Sequence, residues 1–254
     1  MATEGKPLAL VVLVHPKTTE NRDKALHLNA SVTPFFRRPS TQCTTRSIFT
    51  PATRPKANLG MVPAAEKGSM FGVVEIWTSP AALATLKTTA PPEYRQYHST
   101  VAREGLYSAE RDMDISEWTP CAGFVARKGE KETPKAGIVM LAKFVCKDGE
   151  GMKDGLVSVI GKFCDWVEAN EFGTLTYSVM TSATAPNEVL LFERYKDLAA
   201  LGVHGKTAEF RAMFKGTGRF IQVKKTVLSE WEELEGSFVS NQPGGAGVGG
   251  QAKL

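Results

Sequence analysis

The sequence contains four histidines, the residue type whose side chain titrates nearest to neutral pH. His204 lies where a predicted amphipathic helix turns toward a strand, which makes it a candidate for proton abstraction or substrate orientation. Tyr177 lies in the middle of a predicted strand, where its hydroxyl could donate a hydrogen bond to a substrate oxygen. A structural histidine and an interior tyrosine bonded to backbone are the alternatives. His204 and Tyr177 are therefore the predicted catalytic residues.

Large aromatic and methionine side chains in both halves of the chain are candidates for the walls of an apolar substrate pocket. Ordinary core packing is the alternative explanation for each of them. The predicted substrate-binding residues are Trp166, Tyr195, Met180, Met213, Trp77 and His98.

Metal and nucleotide motifs are missing from the sequence. The four cysteines contain no C-x-x-C pair and have no histidine at zinc-ligand spacing. No G-x-G-x-x-G follows a predicted strand, and no P-loop occurs. We therefore predict no metal and no cofactor, and we expect reduced thiols in an intracellular protein, with Cys164 as a small core residue.

Composition excludes several classes of protein. The chain has 254 residues, 42% of them hydrophobic, and a formal net charge of +4. This excess of positive charge is too small for the basic surface that nucleic acid requires, so we predict no nucleic-acid partner. The longest apolar run, Leu8–Val14, is far shorter than the roughly 18–20 residues of a membrane-spanning helix, so we predict no membrane partner.

The sequence repeats itself, and the repeat divides it into two halves. Glu75 and Trp77 match Glu193 and Tyr195. Three further blocks match in the same order: Ala82-Leu83 with Ala200-Leu201, Glu93-Tyr94-Arg95 with Glu209-Phe210-Arg211, and Ile115 to Trp118 with Leu228 to Trp231. We predict a first repeat over 1–120 with a basic insertion at about 52–69, a linker over 121–135, a second repeat over 136–236 and a flexible Gly-rich tail over 237–254.

The second repeat has the clearer secondary-structure pattern. Apolar and β-branched runs predict strands at Ile138–Val145, Thr174–Thr181, Glu188–Tyr195 and 219–231. Apolar residues at three- and four-residue spacing between Met152 and Val167 predict a helix, and Asp197 is the predicted N-cap of a second helix broken near Gly202 and Gly205. The order β-α-β-β-α-β predicts an α+β fold of two tandem ferredoxin-like repeats, packed sheet to sheet.

The segment from Phe192 to Asp197, the Ala199-Ala200-Leu201 block and the pattern His204-x-x-Thr207-x-x-Phe210 resemble the antibiotic biosynthesis monooxygenase family of the dimeric α/β barrel superfamily. The first half resembles the same module through Glu75-x-Trp77 and Tyr94-Arg95. The resemblance implies a barrel formed within one chain. It also implies a monooxygenase that oxidises a small hydrophobic or phenolic metabolite with O2, without metal or flavin, in the second half.

The family pattern is incomplete here, and alternatives follow. Glu209 stands at the second histidine position of the family motif, and Thr88 and Glu93 stand at both positions in the first half. A non-catalytic ligand-binding or stress protein, or a cofactor-free isomerase or cyclase, would fit the same fold. His98 resembles the iron ligand of related haem-degrading enzymes, so a haem protein is a minor alternative.

The chain ends in Ala252-Lys253-Leu254, which is similar to the S-K-L peroxisomal signal. We therefore expect a cytoplasmic or peroxisomal protein, with a peroxisomal import receptor as a possible partner and further homodimerisation as another.

Overall fold

The computed structural model describes residues 5–127 and 134–241, and these ranges form nine strands and six α-helices. The strands are β1 Leu8–Val14, β2 Cys43–Pro51, β3 Phe71–Trp77, β4 Met113–Phe124, β5 Ile138–Val145, β6 Thr174–Thr181, β7 Glu188–Tyr195, β8 Val227–Glu233 and β9 Val239–Ser240. The helices are α1 Thr19–Phe36, α2 Pro80–Thr89, α3 Pro92–Glu104, α4 Met152–Asn170, α5 Leu198–His204 and α6 Ala208–Thr217. None of the helices in these ranges combines the length and apolar character needed to cross a bilayer.

The chain divides into two compact units. Within the described ranges, unit 1 comprises 5–51, Val62–Glu117 and Leu234–Asn241, and unit 2 comprises Ala52–Met61 and Trp118–Glu233. β4 begins in unit 1 and ends in unit 2. Each unit also receives a short segment from the other half of the sequence, which repeat matching alone does not reveal.

Each unit is a ferredoxin-like antiparallel sheet with helices. In unit 1 the strand order is β4-β1-β3-β2, with β9 added beside β2. In unit 2 the order β8-β5-β7-β6 places the strands of the second repeat in the same arrangement, and the end of β4 pairs with β6. Each unit packs helices against its sheet around a separate apolar core. The predicted α+β class with two ferredoxin-like repeats is confirmed.

Most of the elements predicted in the second repeat are confirmed. β5, β6 and β7 have the predicted bounds, and α4 covers the predicted apolar stripe. Asp197 caps α5 by accepting a hydrogen bond from the backbone N–H of Ala200, and the helix ends at His204 beside Gly205. The predicted strand at 219–231 is wrong at its start, because a 3-10 turn at Val223–Lys225 precedes β8.

The segments between and after the repeats differ from the prediction. The strand β4 continues to Phe124, inside the range predicted as a linker. In the range predicted as a flexible tail, Val239–Ser240 form β9 and pair with Thr45 and Arg46 of β2. Residues 128–133 and 242–254 lie outside the described residues, and so does the C-terminal tripeptide Ala252-Lys253-Leu254.

The basic insertion is divided between the two units. Its first part, Ala52–Met61, belongs to unit 2 and lies along β8, where Leu59 bridges Ser229. Glu230 on β8 accepts a hydrogen bond from the Asn58 backbone N–H at 3.0 Å and pairs with the Arg54 guanidinium. The first part of the insertion is therefore held against β8 by hydrogen bonds of its backbone and by an ion pair.

All four cysteine thiols are free, as expected. Cys164 is fully buried on α4, and this burial raises the pKa of its thiol. It is a core residue, as predicted.

Candidate active site

A cavity of about 340 Å³ lies in unit 1, lined by residues of β1, β2, β3, the start of β4, and the helices α1, α2 and α3. Its size falls within the usual range for a small-molecule site. Much of its wall is apolar, with Leu10, Val12 and Val14 from β1 and Val32 and Phe36 from α1. Such walls suit a small hydrophobic ligand.

The most buried charge in this cavity is the guanidinium group of Arg46, whose residue is only 2% exposed. Its Nε donates to Oε1 of Glu75 at 3.1 Å, and its Nη2 donates to Oδ1 of Asn29. The guanidinium carbon lies 4.3 Å from the ring centroid of Phe36. Its Nη1 is buried and has no hydrogen-bond acceptor among the described residues.

The sheet register explains why these polar groups meet. Arg46 on β2 lies directly opposite Glu75 on β3 in the antiparallel ladder. Trp77 lies two residues beyond Glu75 on the same face, because side chains alternate along a strand. Its Nε1 donates to Oε2 of Glu75 at 3.3 Å. Both carboxylate oxygens of Glu75 are therefore engaged, Oε1 with Arg46 and Oε2 with Trp77.

The helix α3 contributes a histidine between two tyrosines. The ring of His98 lies 4.4 Å from that of Tyr94 and 4.8 Å from that of Tyr97, and His98 itself is exposed on the solvent side of the cavity. Desolvation lowers the pKa of His98 below its usual value of 6.5, and the negative charge of Glu75 opposes this shift. The imidazole is therefore mainly neutral at pH 7 and able to accept a proton.

The tyrosines beside it remain protonated. Burial, together with the charge of Glu75, raises the pKa of Tyr94 to about 12. Burial also raises the pKa of Tyr97, whose hydroxyl contacts that of Tyr107. Both phenols can therefore donate hydrogen bonds at neutral pH.

The predicted catalytic residues lie in unit 2, where the structure brings them together in a packed cluster. His204 is 3% exposed, and its Nδ1 lies 2.7 Å from Oε2 of Glu171. Its ring centroid is 5.3 Å from that of Tyr177 and 4.9 Å from that of Phe210. Tyr177 faces the helices, and its ring meets Phe163 of α4 edge-on with 5.7 Å between ring centroids. The catalytic roles of His204 and Tyr177 stay predictions.

A second carboxylate lies in the same cluster. The Tyr195 hydroxyl donates to Glu193, which is buried. This burial raises the pKa of Glu193 to about 6, although the charge of His204 and the bond from Tyr195 oppose the shift. Glu75 forms an ion pair with Arg46, whereas Glu193 is bonded to a tyrosine.

The other predicted substrate-binding residues fall into two groups. In unit 2, Trp166 stacks on Phe163 with 5.8 Å between ring centroids, Met213 packs at the edge of the same core, and Met180 is fully buried. In unit 1, Trp77 is buried behind Glu75, and His98 lines the cavity. Of the predicted site residues, His98 is the one that lines this cavity.

Sequence reasoning missed Arg46 and Asn29. The repeat carried a signal for Arg46, because matching Ser47-Ile48 with Ser178-Val179 places Arg46 at the position of Tyr177. Both side chains lie opposite the matched glutamates, Glu75 and Glu193. Asn29 had no such signal, since its role depends on how α1 packs over β2.

Comparison with known families identifies the second half of the chain. Residues 163–216 match the family model for antibiotic biosynthesis monooxygenase. The matched segment, which runs from α4 into α6, is similar to this family. Among functionally curated proteins, none matches this chain significantly.

Solved structures share the fold of this chain over nearly its whole length. A proposed monooxygenase from Lactobacillus acidophilus has a TM-score of 0.72 at 13% identity, covering 93% of this chain and 97% of the other. A proposed monooxygenase from Fusobacterium nucleatum has a TM-score of 0.71 at 15% identity, with 96% and 98% covered. An anthrone oxidase-like protein has a TM-score of 0.56 at 11% identity, with 96% and 97% covered. These structures support the fold alone.

Proposed function

We propose that this protein uses O2 to oxidise a small hydrophobic aromatic substrate, of phenolic or anthrone type, in the cavity of unit 1. One observation carries the proposal: an apolar cavity of about 340 Å³ has a neutral imidazole, His98, on its solvent side and a buried guanidinium, Arg46, in its wall. Apolar walls hold the ring system and exclude water, and the polar groups act on its oxygen and its acidic hydrogen.

The proposed reaction begins with a proton transfer. An acidic C–H or O–H bond of the substrate breaks, and its proton moves to His98 while the electron pair stays on the substrate. The Glu75 carboxylate favours the imidazolium that forms, because its charge raises the pKa of His98. The electron-rich substrate anion then reacts with O2 beside it in the cavity.

The stoichiometry requires no further reductant. When a methylene group and one O2 become a carbonyl group and one water, one oxygen atom enters the product and the other leaves as water with both hydrogens. Atoms and electrons then balance between substrate and O2. This proposal needs no flavin or metal, and the similarity of fold to an anthrone oxidase-like protein makes anthrone a reasonable first probe.

The test is O2 consumption by the full chain with anthrone and a panel of phenols, with product identification. We expect His98→Gln to lower kcat/KM by about a hundredfold, because general-base catalysis typically contributes that much or more. We also expect kcat/KM of the unmodified protein to fall on acidification with a midpoint below 6.5, since the pKa of His98 is lowered.

The matched control is His27→Gln, an exposed histidine on α1 that does not line the cavity. Equal rates for His98→Gln and His27→Gln would remove His98 from the mechanism. No O2 uptake with any substrate of the panel would contradict the oxygenase proposal and favour a ligand-binding protein.

A further inference from the structure

From the geometry of the unit 1 cavity, we infer that Arg46 Nη1 is a binding group for the ionised oxygen of an aromatic ligand, a phenolate or an enolate. This inference rests on the proposed function for its site, but it concerns which form of the ligand binds rather than its turnover.

The argument starts from the hydrogen bonds of the guanidinium group. Glu75 accepts a hydrogen bond from Nε of Arg46, and Asn29 accepts one from Nη2. The ring of Phe36 lies against the guanidinium group. These contacts fix the orientation of the side chain. They leave Nη1 buried without an acceptor among the described residues. A buried donor without a partner is costly, and a ligand oxygen that accepts from it removes the cost.

The charges of the cavity define the ligand further. Among the described residues that line it, Arg46 is the one lysine or arginine, whereas Glu75 on β3 and Glu117 on β4 are acidic. Asn29 is neutral, and Tyr94 remains protonated. One anionic oxygen would supply the acceptor that Nη1 lacks. A second anionic group elsewhere in the cavity would meet a carboxylate, so the ligand carries one ionisable oxygen and no separate carboxylate.

The position of His98 agrees with this ligand class. Its imidazole lines the same cavity as Arg46 and can accept the proton that the ligand loses. The Arg46–Glu75 pair then acts as a fixed dipole, with the guanidinium end toward the ligand anion and the carboxylate favouring the imidazolium. Charge-assisted hydrogen bonds of this kind are about twice as strong as neutral ones.

The test uses 4-nitrophenol, whose ionised form absorbs visible light, with the full-length protein. We expect the bound probe to be the nitrophenolate and the pKa of the bound probe to fall by about one unit, a tenfold preference for the anion. Arg46→Lys should weaken nitrophenolate binding by about tenfold, because the lysine ammonium pairs with Glu75 and cannot also reach the ligand with a planar fork. Binding of 4-nitroanisole, which has no ionisable oxygen, should change by less than about twofold.

The matched control is Arg103→Lys, whose side chain is exposed on α3 and does not line the cavity. A second variant, Asn29→Asp, keeps Arg46 and adds a negative charge beside Nη2, so it should also weaken anion binding by about tenfold. If Arg46→Lys does not fold, the nitrophenolate affinity of Asn29→Asp tests the inference instead.

Several outcomes would overturn the inference: no binding of the ionised probe to the unmodified protein, binding of the neutral form, or equal nitrophenolate affinity in Arg46→Lys and Arg103→Lys. Failure of the proposed function looks different. In that case nitrophenolate binding would still depend on Arg46, but no substrate of the panel would consume O2.

Discussion

The two units build the same sheet around a matched glutamate and differ in the side chain that faces it. In unit 1, Glu75 lies opposite Arg46 and forms an ion pair. In unit 2, Glu193 lies opposite Tyr177, and its carboxylate accepts a hydrogen bond from Tyr195 instead. One carboxylate holds a cation in a cavity wall, and the other is buried among aromatic rings.

The space above the sheet differs accordingly. In unit 1 it holds a cavity of about 340 Å³. In unit 2 the rings of Phe163, Phe210 and Tyr177 all lie within about 5–6 Å of His204, measured between centroids. A cavity therefore lies above the sheet of unit 1, and packed aromatic rings surround His204 in unit 2. A family motif residue such as His204 can serve stability in one copy while a different histidine, His98, faces a cavity in the other.

The largest expected effect that tests this contrast is on stability. His204→Ala should lower the free energy of unfolding of unit 2 by about 3 kcal/mol, because it removes the histidine partner of the buried Glu171 carboxylate and several ring contacts. His98→Ala should change stability by less than about 0.5 kcal/mol, since its side chain is exposed. Urea denaturation followed by circular dichroism measures both.

The two histidine variants should also differ in turnover. We expect His98→Ala to have a lower turnover than the unmodified protein and to keep its stability. If His204→Ala instead left stability unchanged and lowered turnover, the reacting base would lie in unit 2, as the sequence predicted. The exposed His27→Ala serves as the control for a histidine that touches neither site.

A smaller effect is expected from Glu193, and it depends on pH. Burial raises its pKa in the folded state from 4.5 to about 6. The folded protein therefore holds this proton more tightly than the unfolded chain, so the stabilisation is complete below about pH 4.5 and is lost as pH rises through 6. The difference between these limits is about 2 kcal/mol, at 1.36 kcal/mol per pKa unit.

Glu193→Gln keeps an oxygen that can accept from Tyr195 and removes the ionisation. We expect this variant to lose the pH dependence between 4.5 and 6 and to be more stable than the unmodified protein at pH 7. Urea unfolding across that pH range checks this against Glu209→Gln, an exposed glutamate on α6. A stability curve of Glu193→Gln that parallels the control would show that Glu193 does not titrate in this range.

Local patterns in the sequence were enough to predict most elements of unit 2, although not the start of β8. Apolar, β-branched runs fixed the bounds of β5, β6 and β7, and the Asp197 side chain fixed the start of α5. These features depend on neighbours a few residues away. The repeat then extended the same fold to the first half.

The cavity could not be predicted in this way, because it depends on contacts between distant residues. Asn29 reaches Arg46 only because α1 packs over β2, 17 positions away along the chain. The segment Leu234–Asn241 joins unit 1 through tertiary pairing, with Ser237 bonded to Ile48. The strand in this segment, Val239–Ser240, has only two residues and is too short to give a local signal.

The smallest expected effect concerns a feature that the two units share. Ser79 and Asp197 occupy matching N-cap positions, where Ser79 Oγ accepts from the Ala82 N–H at 3.2 Å and Asp197 Oδ1 accepts from the Ala200 N–H at 2.8 Å. Substitution of either residue by alanine should cost about 1 kcal/mol, with the larger loss at Asp197 because its charge also favours the positive end of the helix.

Thermal unfolding of the two single variants and the double variant measures these losses. The two losses should add within about 0.5 kcal/mol, because the caps lie in separate units with separate cores. A loss at Asp197 alone would mean that α2 is held by packing and that the Ser79 cap contributes nothing. The halves would then differ in how their helices begin as well as in the side chains that face the matched glutamates. The matched caps would be a remnant of the repeat rather than a shared source of stability.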